Sequence, residues 1–552
     1  MPVRGLPGRR GLPRRTLLAA GLGAAVIGVG CTAAPRPEPP PPSPGRQRIA
    51  VADHGATGDG STDDTAAVQR AVDAAAVVDG EVFFGPGTYV VTTVHLVPGI
   101  WLTGDRATIR RPPTRGKDWL RTFTTEDLDW DSETDSAPLV VRNLTFDGNR
   151  LEQGPYQSYE LEHAHLLHFT ATPGSKGRLV ARVSDCRFVD GVGDGINIRC
   201  NVALTVERCE AVDVFRGGFV MVGGGCEVDI TDFTTRGATD RTGIDIEIMI
   251  AGYGGSFASH VRMRRVRLHD GDFDIAIRDG GTFDGDDIMV SRPPITVSAP
   301  GGTVRIRRSI FHVGPWAPNA NRIVYPGDVE FRECTFVADP DGEPPPVTVT
   351  MVRLMTTSWP RSRLSLSLVD CTFTTVPDLP ADVTVRAVQV DPDSLARGNV
   401  VRVVGGTVDD RVDEGVWVSG GGRVEITGTM INSTTVLRAA GLRGSGFDVT
   451  LAELELGPGT ALRIDLADAR SLLRISDVVV HEPGNAIRSE RPESLARLRV
   501  QGGRTVLGRQ SPQGRSVPGL AGDEFLVGSG SAVRRWLCTR SDAVAADWRR
   551  AD

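Results

Sequence analysis

Lysine is nearly absent from this chain: all but two of its 62 basic residues are arginine, the exceptions being Lys117 and Lys176. At that abundance, an arginine at any one position says little about function. Aromatic residues make up 6 % of the sequence and the net charge is −7, so neither a basic surface nor interleaved aromatics point to nucleic acid. No CxxC pair and no zinc-type His/Cys spacing occurs. Beyond residue 30 no run is long and apolar enough to span a bilayer. Glycine, with 65 residues, is plentiful, as expected where many corners alternate with thin layers.

Between Val183 and Asp279 the chain repeats itself. Residues 183–200, 206–222, 230–248 and 263–279 each hold two short alternating segments around a polar, Gly-rich corner. Period-two alternation is the mark of a strand, and a repeat of this length is the mark of a solenoid. One small or apolar position in the first segment carries the phase. It falls on Leu144, Cys186, Cys209, Phe233, Val266, Ser309, Cys334, Cys371, Gly406, Gly428, Leu454, Val478 and Gly503, with several intervals of 23 to 25 residues. Two longer intervals, 42 residues from Leu144 and 43 from Val266, hold either one coil with an insertion or two coils, one of them too degenerate to recognise. A single coil cannot bury its apolar face but a stack can, so the pattern predicts an all-β chain folded as a parallel β-solenoid.

The first 31 residues read as an export address. Arg14-Arg15 precede Thr16-Leu17-Leu18, and an apolar run continues to Gly30. The Arg-Arg-x-Leu-Leu pattern resembles the twin-arginine motif. Val29-Gly30-Cys31 resembles a bacterial lipoprotein box, which implies lipidation of Cys31 and a protein either tethered by that lipid outside the cytoplasm or secreted. Residues 32–48 are a Pro-rich linker, extended and semi-rigid. The solenoid is expected over 49–510 and a small β cap over 511–552, covering the strand edges of the last coil. Cys186 and Cys209 occupy one position in successive coils. They either pair or stack as a ladder of buried thiols, the second being the preferred reading because parallel-stacked side chains point poorly for a disulfide. Cys200 with Cys226 is the next candidate pair.

The most specific stretch opens the folded part at Ile49. Asp63 or Asp64 can cap a helix whose apolar stripe is Ala67, Val68, Ala71, Val72 and Ala75, with Gly80 ending it. Such a helix covers the open end of a solenoid. Strands are expected at Glu81–Phe84 and Tyr89–Val91, around a Gly85-Pro86-Gly87 turn. The segments Ala52-Asp53-His54-Gly55-Ala56, Gly58 to Thr65 and Phe83 to Tyr89 resemble the opening of the pectate-lyase superfamily of right-handed parallel β-helices. That group is similar to polygalacturonases, alginate epimerases and phage tailspike depolymerases. The resemblance implies a polysaccharide ligand. The polygalacturonase motifs are not present as a set and the alginate epimerase Asp-Pro-His is absent, so the reaction stays open.

Candidate chemistry lies in the second segments of successive coils. With isoleucines inward, Asn197 and Arg199, Val220 and Val222, Asp245 and Glu247, and Ala276 and Arg278 are expected outward. Asp245 and Glu247 then share one face roughly 6.5 to 7 Å apart. They suit a hydrolytic acid and base, or a calcium site in a lyase or epimerase with Arg199, Arg278 or His168 as base. Asn197, His165, Asp194, Asp274 and Tyr253 are the candidate substrate contacts. The rival reading is a glycan-binding or structural protein without catalysis. Between Arg111 and Leu139 the repeat lapses, and a loop carrying Trp119, Trp130 and an acidic run is expected there.

Overall fold

The computed structural model of the protein describes residues 45–550 except 116–120, 127, 129, 131, 155–160, 238–241, 248–257, 270, 279, 292–294, 314–320, 326, 340–347, 355–364, 391–399, 420–421, 434, 441–446, 457–460, 466–471, 481–486, 489–498, 501–504, 509–523, 530–531 and 541–546. Residues 1–40 are a separate unit that lies outside these, so the export address, Cys31 and most of the linker are not described. No helix among the described residues is long and apolar enough to cross a membrane.

The chain winds as a right-handed parallel β-helix. Among the described residues its coils build a 25-stranded sheet and a 15-stranded sheet, the latter called the site sheet below. One coil runs Leu179–Ser184, a bend at Asp185, Arg187–Val189, then Asp194–Ile198 in the site sheet. The next runs Val202–Val212 and Gly217–Val222, each residue beside its counterpart. Inward side chains close the core. Phe146 stacks on Phe188 with ring centroids 5.2 Å apart, and Phe311, Phe336 and Phe373 form a second stack at 5.4 and 5.2 Å.

The phase residue of the repeat follows a backbone bend. Asn143, Asp185, Arg208, Asp232, Arg265, Asp287, Arg308, Glu333, Asp370 and Glu453 all adopt φ from 46° to 56°, the left-handed region that costs a side chain about 1–2 kcal/mol. Strands on both sides hold each bend in place. Charge alternates along much of this row: Arg208 grips Asp185 at 2.7 and 2.8 Å, and Arg265 grips Asp232 at 2.6 and 2.9 Å. The two long intervals resolve differently. Val141 pairs directly with Val183, so the first is one coil with an insertion. Val266 pairs with Ile288, whose amide meets Ser309 Oγ, so the second hides a coil. Gly428 is itself a bend, and Thr429 takes the expected phase position, because Thr407 pairs with Met430. Gly503 lies outside the described residues.

At the front, α1 (Thr65–Val77) buries the predicted stripe. The first strand starts at Arg48, one residue before the expected boundary. Asp64 precedes the helix, but its carboxylate turns away to accept the Thr57 and Gly58 amides at 2.7 and 3.1 Å. Asp63 accepts the Thr65 amide at 3.0 Å. Asp59 ties Ser61 and Thr62, whose amides hold its carboxyl far below the usual range. A side chain at Gly58 (φ 63°) would meet the Tyr89 ring at 2.9 Å. The aspartates and this glycine therefore shape the opening. At the other end, Thr505–Gly508, Glu524–Ser529, Ala532–Arg540 and Asp547–Arg550 form a four-stranded sheet.

Cys186, Cys200, Cys209, Cys226, Cys334 and Cys371 are free and buried. The Cys200–Cys226 pairing is thus corrected: Cys226 Sγ donates instead to the Arg199 carbonyl at 3.0 Å. Cys186 and Cys209 are two rungs of the thiol ladder, and their Sγ atoms donate to the carbonyls of Ser184 and Glu207 at 3.2 and 3.3 Å.

Candidate functional site

Each strand of the site sheet sends one residue of its central pair inward and the other outward. Leu167, Ile196, Phe219, Ile244 and Phe273 make the inner row, all fully buried. Thr124, His168, Asn197, Val220, Asp245 and Asp274 make the row beside it. That row was expected to be open, yet Thr124, His168, Asn197 and Val220 are at most 2 % exposed. The turns leading into the strands occupy that side: Gly193 packs on the Ala164 backbone, and Leu161, Ala164 and Val192 form a small apolar cluster.

A polar network is buried there. Asp194 Oδ2 accepts from Asn197 Nδ2 at 2.7 Å and from an Arg216 guanidinium nitrogen at 2.8 Å, and it lies 3.0 Å from His165 Nδ1. Burial pushes Asp194 up to about 6, although Arg216 and Asn197 both favour its ionised form. Burial likewise holds His165 and His168 well below the usual imidazole range, helped at His165 by Arg216, Arg121 and Arg199 and at His168 by His165, Arg121 and Arg199. His165 is therefore neutral at neutral pH, its Nδ1 accepts the Asp194 amide at 3.3 Å, and its approach to Asp194 Oδ2 is not an ion pair. His165 and His168 stack with centroids 5.6 Å apart.

His168 Nδ1 lies 2.9 Å from Thr124 Oγ1, which already accepts the Glu126 amide at 3.0 Å. The Thr124 hydroxyl has a second lone pair as well as its proton, so it can accept from Nδ1 or donate to it, and the ring tautomer follows that choice. His168 Nε2, His165 Nε2, Asp194 Oδ1 and Asn197 Oδ1 are buried without a hydrogen-bond partner among the described residues. Each such atom costs about 1–3 kcal/mol, and four in one cluster mark a place built for something other than stability.

The network backs onto a cleft of about 310 Å³ lined by Glu126, Leu128, His168, Thr170, Pro173 and Arg199. Arg121 pairs with Glu126, and Arg216 with Asp194. Arg199 is the guanidinium at the cleft wall. The structure thus gathers His165, His168, Asp194, Asn197 and Arg199 from the predicted set. Glu126 was missed as a site residue: its signal was its place in the loop where the repeat lapses. Trp130 of that loop is partly buried against the core, and Trp119 lies outside the described residues.

The remaining candidates fall elsewhere. Asp245 and Glu247 each sit two positions off the expected alignment with Ala276 and Arg278: Asp245 pairs with Asp274, and Glu247 with Ala276. Arg199, Val222, Glu247 and Ala276 share one row, and Arg278 stands two residues beyond it, bridging to Gly301. The expected common stripe of Arg199 and Arg278 is corrected accordingly. The register shift between Thr242 and Ile244 is where the irregularity enters. The side chains of Asp245 and Glu247, and all of Tyr253, lie outside the described residues. Among the described residues no group of three His, Cys, Asp or Glu side chains is arranged to hold a metal.

Residues 48–167 match the family described as rhamnogalacturonase A/epimerase, pectate lyase-like. No curated protein matches the chain in sequence. Among solved structures, it is similar to the catalytic unit of a thermostable GH87 α-1,3-glucanase from Streptomyces thermodiastaticus, with 15 % identity over 81 % of this chain and 70 % of that one and a TM-score of 0.40. It is similar to the A-module of the mannuronan C-5 epimerase AlgE6 of Azotobacter vinelandii, with 13 % identity over 79 % and 100 % and a TM-score of 0.39. It is also similar to the surface adhesin PfbA of Streptococcus pneumoniae, with 14 % identity over 73 % and 100 % and a TM-score of 0.33. Likeness at this level carries no reaction and no substrate. The matched opening is pectate-lyase-like, and the coils that follow it form a parallel β-helix.

Proposed function

We propose that the protein is an extracytoplasmic polysaccharide-active enzyme whose reaction occurs in the cleft between His168, Arg199 and Glu126. One observation carries the reading: a neutral imidazole and a guanidinium line the same cleft, backed by a buried network that fixes them. A guanidinium there suits a uronate carboxylate. Neutralising that carboxylate acidifies the adjacent C–H, and a neutral imidazole can take the proton. Elimination or epimerisation of a uronate-containing glycan follows from that pairing. Hydrolysis is the second reading, favoured by Asp194, a carboxyl group raised to about 6 beside the same cleft, the property a general acid needs.

Calcium enters the proposal only through Asp245, Glu247 and Asp274, carboxylates at neighbouring register positions and of the donor type calcium takes. Export rests on Arg14-Arg15 and the apolar run, and the lipid anchor on Cys31. Fatty-acid labelling that is lost in Cys31→Ala tests the anchor.

The full chain is assayed on polygalacturonate, alginate and neutral glucans, with and without a chelator. Unsaturated uronate ends identify elimination, altered sugar configuration identifies epimerisation, and new reducing ends alone identify hydrolysis. His168→Gln and Arg199→Gln should each lower turnover by about 10²–10⁴-fold with the fold intact. Retained glycan binding with no change in any of these readouts defeats the enzymatic reading and favours a binding protein.

A further inference from the structure

Two residues of opposite charge line the cleft, Arg199 and Glu126. A carboxylate is unexpected on a wall that is to receive an acid group. Glu126 is not a bare charge there, because it pairs with Arg121.

The two partners are unequally covered. The Arg121 side chain is 14 % exposed and the Glu126 side chain 39 %, so a ligand arriving from solvent meets the carboxylate first and the guanidinium behind it. Arg121 also bears on the buried imidazoles: after burial, it is among the charges that hold His165 and His168 low. Its charge therefore belongs to the site.

The backbone around Glu126 is held on both sides. Its amide donates to Thr124 Oγ1 at 3.0 Å, and the Leu128 amide closes a turn onto the Thr125 carbonyl at 3.0 Å. Thr125 Oγ1 donates to the Thr170 carbonyl at 2.9 Å and accepts the Thr170 amide at 2.8 Å, which ties the segment to another part of the cleft wall. None of these bonds uses the Glu126 carboxylate. Rotation of that exposed side chain uncovers Arg121 and leaves the wall intact.

We propose that Glu126 is a built-in stand-in for the acid group of the ligand: it holds the Arg121 guanidinium in the free protein, and a sugar carboxylate takes its place on binding. The proposal rests on the reading of the cleft as the seat of an acidic glycan. It makes Arg121 the residue that recognises the acid, through the planar fork that suits a carboxylate, and Glu126 the residue that masks it. A ligand that must displace a resident partner binds with an affinity reduced by the fraction of protein in which the partner has left. A neutral sugar gains nothing at Arg121, so Glu126 stays in place beside it.

Binding of trigalacturonate, trimannuronate and their methyl esters to the full chain is measured by titration calorimetry. The wild type should bind at least one of the acids, and its ester more weakly. Glu126→Gln should tighten that acid about threefold to fivefold and leave the ester unchanged. Arg121→Gln should weaken the acid about tenfold, and Arg121→Lys should weaken it less. In the Arg121→Gln background, Glu126→Gln should no longer tighten the acid appreciably, because the contact it releases is already gone. In crystals of the complex a sugar carboxylate should stand on Arg121, with the Glu126 side chain turned away. Matching melting curves keep misfolding out of the comparison. The proposal is overturned if Glu126→Gln tightens the acid equally with and without Arg121, which would be general repulsion, or if the Arg121–Glu126 pair persists in the complex. Those results leave the enzymatic reading standing. The expected binding pattern without turnover of any glycan removes the enzymatic reading and keeps this one, and failure of wild type and Glu126→Gln to bind either acid removes both.

Discussion

Asp194→Asn keeps the shape of a buried side chain and removes its ability to ionise. In the fold this carboxyl titrates at about 6 rather than 3.8, mainly because it is buried. A group whose folded value is raised holds its proton more tightly in the native state. Its contribution is therefore full below the unfolded value and is lost as pH rises through the folded one. Between pH 4 and pH 7, linkage removes about 2–3 kcal/mol from the wild type through this group. Asparagine loses nothing over the same range. His165 and His168 show the opposite trend, stability lost as pH falls; His168 does not touch Asp194 and cancels in the comparison, whereas His165 touches it, so the difference is read at pH 7, where His165 is neutral in the wild type. At pH 4 both proteins carry a neutral group at this position and should differ little. At pH 7 the variant should be more stable by about 2–3 kcal/mol. A solenoid opens locally, so the measurement is amide hydrogen exchange of peptides spanning residues 161–200 at both pH values. An unchanged difference between the two would refute the raised titration. A variant that loses stability at pH 7 would mean that the Arg216 pair outweighs burial.

Three further outcomes follow from packing and backbone geometry. Phe336→Ala empties the middle of the ring stack between Phe311 and Phe373 and should cost about 3–5 kcal/mol locally, read by exchange of the flanking coils. Asn143→Val places a β-branched residue at φ 55° and should destabilise by about 1–2 kcal/mol, whereas Asn143→Gly should not destabilise at all. Since the six described cysteines are free and buried, a thiol reagent should label them only on unfolding. Protection that vanishes in a reducing agent alone would contradict this.

The coil repeat was legible because it is a property of the backbone. Every phase residue from Leu144 to Cys371 follows a left-handed bend, and that bend recurs whatever side chain carries it. Ile288 escaped because its coil kept the bend at Asp287 but lost the recognisable small residue. Register was less legible. Asp274 rather than Ala276 neighbours Asp245, and alternation could not tell the two apart because residues two apart point to the same face.

Burial of the site could not be read from alternation, because alternation separates inward from outward but says nothing of what covers the outer side. Regular coils produce rows, and rows alone leave a flat face. The cleft arises where the repeat lapses: Glu126 and Leu128 come from the segment that interrupts it, and Thr170 to Pro173 from the insertion between Leu144 and Cys186. Those segments wall in His168 and Arg199, while the turn at His165 meets Asp194 from the following coil. Removing water from that corner raises Asp194 and lowers the two histidines together, so burial favours the neutral form of all three groups. That property belongs to the interruption, not to the solenoid that supports it.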